Sequence, residues 1–225
     1  MSEEQVLNYL LEFVSENKNR KFEEVIRYRT RYLTIVLEDI FQPHNASAVL
    51  RSCDCFGIQD IHIIENDNTY NVNPDVALGS SKWLNIIKYN SFENNTRDCL
   101  LQLKSKGYRI VATSPQEKGY LINELPLDQK TALLFGTEMR GLSPIAMEMS
   151  DAYVKIPMYG FTESFNISVS AALSLYHLSE KMRGLPIPWQ LSQEEVTEVK
   201  LLWARHTIKN SELLEKRFRK DQIQS

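Results

Sequence analysis

Six short apolar runs, five of them followed by a polar loop and a stretch of helical period, constrain this chain more than any other feature. They lie at 33–37, 61–64, 85–89, 109–112, 131–135 and 153–156, the last closed by Pro157, which cannot continue a ladder. Strands that alternate with helices argue for an α/β fold with a mostly parallel sheet covered by helices on both faces. The helical stretches are expected at 46–56, with Asn45 as N-cap and Gly57 closing it, and at 94–106, with Cys99, Leu100 and Leu103 inward. A helical turn is expected at 76–83, and a helix opens at Ser143-Pro144. Another covers Ile167–Arg183, where Val169, Ala172, Leu173, Tyr176 and Met182 fall near 3.6-residue spacing.

Both ends read as helical extensions. Residues 4–16 carry the stripe Val6, Leu7, Leu10, Leu11 and Val14, and residues 21–32 read as a second helix with Arg27, Arg29 and Arg31 outward. After Gly184-Leu-Pro-Ile-Pro188, the pattern Ser192-Gln-Glu-Glu195 opens one last helix to about 219. The expected organisation is therefore an extension over 1–30, a central domain over 31–183 and a second extension over 184–225.

Hydrophobic residues make up 43% of the 225, enough for a full core, and no run of about 18 apolar residues offers a membrane span. The start, Met1-Ser-Glu-Glu, has no apolar region of a secretory signal. Cys53, Cys55 and Cys99 read as reduced thiols of a cytoplasmic protein, and no metal-ligand spacing stands out. The net charge of −3 counts against wholesale nucleic-acid binding. Its distribution does not: Lys18, Arg20, Lys21, Arg27, Arg29 and Arg31 cluster early, and Lys209, Lys216, Arg217, Arg219 and Lys220 late. These are either contacts for an RNA backbone or two solvated helix faces.

Three segments carry the chemistry. The first, at 41–57, holds Pro43-His44-Asn45 and Arg51. The second, at 133–143, is an apolar strand breaking into Gly136, Thr137 and Glu138. The third, at 153–183, runs from a strand ending at Ile156 through a loop with Gly160, Ser164, Phe165 and Asn166 into a helix. Parallel strands present their C-terminal loops on one edge, so Thr113, Gly136 and Ile156 are expected to converge. There Gly136 permits close backbone approach, and the absence of G-x-G-x-x-G disfavours an ordinary dinucleotide site.

In this order the three segments resemble the motifs N-x-x-A-x-x-R, F-G-x-E-x-x-G-L and I-P-M-x-G-x-x-x-S-x-N-x-S-x-A of the SpoU branch of the SPOUT RNA methyltransferases. Within that branch the chain is most similar to enzymes that methylate the ribose of a tRNA guanosine, a closeness strengthened by Pro43-His44-Asn45 and Ala77-Leu78-Gly79-Ser80-Ser81-Lys82-Trp83. The resemblance implies a C-terminal trefoil knot, although crossovers are ordinarily unknotted. It implies S-adenosyl-L-methionine as cofactor, with contacts at Thr113, Gly136, Ile156 and Phe165, and 2′-O-methylation of tRNA at guanosine 18. It also implies a homodimer whose active sites are shared across the interface.

Arg51 is the residue expected to carry catalysis. A guanidinium is too basic, with a pKa above about 12, to serve readily as a base, so charge stabilisation and phosphate anchoring suit it better. Asn45, Ser164 and Asn166 are expected to orient Arg51 or the ribose, and Glu138 to fix Arg51 or a loop amide. Taken alone, the same residues also suit helix caps and turns, and Ile156 and Phe165 also suit plain core. A ribosomal-RNA methyltransferase, or a non-catalytic RNA-binding module on the same fold, stands as the alternative.

Overall fold

The computed structural model describes residues 2–70, 79–115, 118–137 and 140–224. They form two compact units, Thr30–Trp189 and a helical unit built from Met1–Arg29 with Gln190–Ser225.

The first unit is built on seven strands: β1 Leu33–Glu38, β2 Asp60–Ile64, β3 Asn85–Tyr89, β4 Arg109–Thr113, β5 Tyr120–Leu121, β6 Thr131–Phe135 and β7 Ala152–Lys155. They lie in the order β3-β2-β1-β6-β4-β7-β5, and every pairing among the described residues is parallel. Successive side chains of a strand point to opposite faces, and each face has its own core. Leu33, Ile35 and Leu37 of β1, with Val111, Leu133 and Phe135, meet α3 (Pro43–Cys55) and α6 (Ile167–Arg183). On the other face Val36, Ile110, Ala132 and Leu134 meet α4 (Asn95–Ser105) and α5 (Pro144–Met149). Two covered faces explain why the runs are almost wholly apolar, and parallel pairing sends the ends of β4, β6 and β7 to one edge.

His62 sits in the second face, 2% exposed, with Nδ1 and the Tyr89 hydroxyl 3.0 Å apart. Burial pushes its pKa down from 6.5 to about 4, with the charge of Lys106 adding to the effect. As pH falls, the unfolded imidazole takes up its proton near 6.5, while the folded one resists until about 4. Stability is therefore complete above that window and falls through it, by about 3 kcal/mol at 1.36 kcal/mol per unit. Chemical denaturation between pH 7 and 4 is expected to show this loss, and a His62→Gln variant is expected to flatten it.

The helical unit contains α1 (Glu3–Leu11), α2 (Glu16–Ile26), α7 (Gln193–Thr207) and α8 (Ser211–Gln224). Its centre is Trp203, 2% exposed, with the Phe22 ring 5.3 Å away and the Arg29 guanidinium 5.4 Å from the indole centroid. Arg205 reaches Glu215 through two hydrogen bonds of 2.7 and 2.9 Å, tying α7 to α8. No helix of the described residues is long and apolar enough to cross a membrane.

Several local expectations are corrected. The second helix begins at Glu16 because Ser15 caps it, and it ends at Ile26 because the chain beyond must enter the sheet, where Thr30 bridges Ile58. Of its three outward arginines only Arg27 is exposed: Arg29 is buried, and Arg31 pairs with Asp60 at 3.1 Å. Asn45 is not an N-cap, since Pro43 takes the first helical position and Gln42 the cap. The last helix is two helices, separated at Asn210, whose φ of +61° ends the regular backbone. On α6 the buried side chains are Ile167, Ala171, Ser174, Leu175, Leu178, Ser179 and Met182. Val169, Leu173 and Tyr176, which fall on the apolar period of the sequence, are 44%, 41% and 61% exposed. Of the turn expected at 76–83, Ser80–Trp83 forms a 3-10 turn, and 76–78 lie outside the described residues.

Candidate active site

The ends of β4, β6 and β7 enclose a cavity of about 460 Å³. Thr113, Gly136, Ile156, Ser164 and Phe165 all line it, so residues from three distant segments meet there. The Thr113 hydroxyl donates to the Leu134 carbonyl at 2.6 Å, which fixes the end of β4 against β6. Next to it, Ser114 N–H donates to the Val154 carbonyl at 3.1 Å and fixes β4 against β7.

The loop after β6 closes on itself. Thr137 N–H donates to the Gly141 carbonyl at 3.0 Å, and Gly141 N–H returns to the Thr137 carbonyl at 2.9 Å. Gly141 has a φ of +70°, a conformation that costs glycine little. Gly136 stands at the neck of this turn: a Cβ there would lie 2.2 Å from the Gly141 carbonyl carbon and 2.3 Å from its oxygen. The glycine is thus required by its own loop. Glu138, expected in the site, lies outside the described residues.

Asn166 caps α6, accepting from Ser168 N–H at 2.9 Å and the Ser168 hydroxyl at 2.6 Å. Its amide donates to Asn45 Oδ1 at 3.1 Å, and the Asn45 amide donates to Gln42 Oε1 at 3.1 Å. The first and third segments are therefore joined side chain to side chain. Asn45 is 4% exposed, while Asn166 at the other end of the bond is exposed.

Arg51 stands apart. It lies on the exposed side of α3, six residues from Asn45 and hence about 9 Å further along the helix, and it does not line the cavity. The sequence reading passed over Arg140 and Lys155, two cations in the lining. Arg140 is 86% exposed and faces Asp67 at 4.0 Å, a separation worth little in water. Their signal was position: one lies inside the second segment and one ends β7. Among the described residues no cluster of three or more His, Cys, Asp or Glu could hold a metal ion.

A backbone-rimmed cavity, a polar helix cap and nearby cations suit a bound cofactor and a polyanion better than a nucleophile. The known proteins that this chain resembles agree. Residues 32–176 match the model of the SpoU rRNA Methylase family. A tRNA (guanosine(18)-2′-O)-methyltransferase of Borreliella burgdorferi is 43% identical over 209 residues, covering 93% of this chain and 94% of that protein. The enzyme of the same name from Thermus thermophilus is 35% identical, covering 72% and 81%. Among solved structures, the A. aeolicus TrmH/SpoU tRNA modifying enzyme superposes with a TM-score of 0.76 at 28% identity, covering 87% of this chain and 98% of that one. With residues of the second and third segments gathered at one sheet edge and these likenesses spanning nearly its whole length, the chain belongs to the SpoU rRNA methylase family.

Proposed function

We propose that this protein transfers a methyl group from S-adenosyl-L-methionine to the ribose 2′-hydroxyl of guanosine 18 in the D-loop of tRNA. One observation carries the reading: the cavity at the ends of β4, β6 and β7 is roofed by the second and third segments and tied to the first through Asn45 and Asn166.

The residues present fit the cofactor. About 460 Å³ lies within the range of small-molecule sites, roughly 300–1,000 Å³. The lining offers backbone groups at Thr113, Gly136 and Ile156, with the Ile156 and Phe165 side chains as apolar walls. When bound, S-adenosylmethionine supplies an electrophilic methyl group on a positively charged sulfur. The protein's own work is to hold the sugar oxygen behind that methyl at near-attack distance and to stabilise the charge that grows on oxygen as its proton leaves. Arg51, permanently charged and fork-shaped, supplies that stabilisation and anchors a neighbouring phosphate, and the proton passes to phosphate or water. Asn45 and Asn166 hold the cap of α6 in place, and Ser164 orients the ribose. Arg140 and Lys155 add positive charge at the cavity for an RNA backbone.

Because Arg51 does not line the cavity of its own chain, the reaction needs a second copy. The exposed apolar stripe of α6, Val169, Leu173 and Tyr176 at i, i+4 and i+7, supports a homodimer whose active sites are shared. A chain carrying Val169→Asp and Leu173→Asp is expected to sediment as a monomer and to lose at least about 100-fold in methyl transfer, since buried unpaired carboxylates oppose pairing. An unchanged sedimentation coefficient would remove this part of the proposal. Lys18, Arg20 and Lys21 line a shallow depression on the helical unit, and Lys209, Lys216, Arg217, Arg219 and Lys220 are exposed there, which together offer positive charge to tRNA phosphates. A tRNA substrate supports work in the cytoplasm.

The test is methylation of unmodified tRNA and ribosomal-RNA transcripts with labelled cofactor, followed by digestion to nucleosides. The proposal expects 2′-O-methylguanosine from tRNA. Label confined to ribosomal RNA would move the substrate to the RNA that the family's description names. A protein that binds RNA without binding the cofactor would be a non-catalytic module.

A further inference from the structure

Glu38, the last residue of β1, is a buried carboxylate outside the cavity lining. Its carboxylate is 2% exposed, and no Lys or Arg pairs with it among the described residues. Oε1 accepts from the Thr96 hydroxyl at 2.6 Å and the Ser143 hydroxyl at 2.7 Å, and Oε2 accepts from Ser143 N–H at 2.8 Å. A buried carboxylate with no counter-charge is costly unless donors replace its water, and three do so here. Thr96 also lies in the first turn of α4, where the helix dipole favours a negative charge.

Two of the three bonds go to one residue, and its position gives them meaning. Ser143 follows Leu142, which lines the cavity, and it ends the loop that starts at Gly136. One end of that loop is fixed by β6, and Glu38 fixes the other. Glu38 is also where the first segment leaves the sheet: Asp39 next to it has a φ of +51° and accepts from the N–H groups of Asn66, Asp67 and Asn68. Glu38 thus stands where the leading edge of the first segment meets the trailing end of the second. We infer that Glu38 is a positioning residue of the cofactor cavity, holding the Gly136 loop at the height its ligand needs by pinning Ser143. The inference rests on the reading of this cavity as the S-adenosylmethionine site.

The donors make the test sharp. Ser143 Oγ already accepts from Ala146 N–H at 3.1 Å, and Thr96 Oγ1 accepts from the Asn66 amide at 2.9 Å. In Glu38→Gln, either an amide N–H meets the Ser143 N–H, or both hydroxyls must turn from donor to acceptor. Calorimetry with S-adenosylmethionine is expected to show about tenfold weaker binding by Glu38→Gln, the size of one lost charge-assisted bond. RNA affinity is expected to stay at the wild-type level. Ser143→Ala, which keeps the carboxylate and guards against a misfolded first variant, is expected to weaken binding in the same direction. The double variant is expected to bind no more weakly than Glu38→Gln alone, since both changes break one linkage. Thr96→Val removes only the bond that does not reach the loop, and it is expected to lower the melting temperature while leaving cofactor affinity at the wild-type level. Wild-type cofactor affinity in Glu38→Gln, with only the melting temperature lowered, would make Glu38 a plain structural strut and overturn the inference. Strictly additive losses in the double variant would do the same. A wild-type protein that binds no cofactor would instead overturn the reading of the cavity, and this inference with it.

Discussion

Gly136→Ala is expected to abolish cofactor binding, weakening it at least about 100-fold, while the chain stays folded. The new methyl would sit 2.2 Å from the carbonyl carbon and 2.4 Å from the next amide nitrogen of the Gly141–Leu142 peptide. Those atoms are backbone and cannot swing aside as a side chain would. Relief requires opening the paired bonds between Thr137 and Gly141, which is the closure that shapes this wall of the cavity. Overpacking of this kind costs roughly 1–3 kcal/mol or more, and the cost falls on the loop rather than on the two sheet cores. Calorimetry with the cofactor reads the loss, and a thermal melt checks that the fold survives. Gly184→Ala is the control, because its added carbon meets nothing nearer than 3.6 Å.

Arg51→Ala is expected to lower single-turnover methyl transfer by about 100- to 1,000-fold, the usual result of deleting a group that stabilises a developing oxyanion. Cofactor affinity is expected to change little, because the role proposed for Arg51 is toward the ribose oxygen and a phosphate of the RNA, not toward the cofactor. That split separates Arg51 from Gly136, whose replacement acts on binding. Arg51→Lys is expected to restore only part of the rate, since an ammonium keeps the charge and loses the two-pronged geometry. A rate within a fewfold of wild type for Arg51→Ala would remove this residue from the chemistry.

The architecture was legible because its signal is strong and local. Nearly apolar runs with helices between them leave a parallel sheet as the consistent outcome, and α6 has the bounds its sequence suggests. The orientation of α6 was not legible. Its apolar residues form two stripes, and period alone does not say which meets the sheet: Ala171, Leu175 and Leu178 do, while Val169, Leu173 and Tyr176 face out. Arg29 misled for a related reason. A guanidinium reads as surface, but Trp203, more than 170 residues later, provides a ring for it to lie over. Within the site, the sheet edge explains why Thr113, Gly136 and Ile156 meet. The bond between Asn45 and Asn166 spans 121 positions and has no local trace. Glu38 was hidden by its place at the end of an apolar strand, where a carboxylate ordinarily marks the start of solvent.

In the proposed reaction centre the cavity of one chain meets the guanidinium of another. Arg51→Ala and Gly136→Ala chains, each inactive alone, can be unfolded together, refolded as a mixture and assayed on unmodified tRNA. Random pairing makes about half of the dimers mixed, each with one intact cavity facing one intact arginine, so activity is expected to return to roughly a quarter of wild type. A mixture as inactive as its parents, with mixed dimers demonstrated by mass spectrometry, would contradict it.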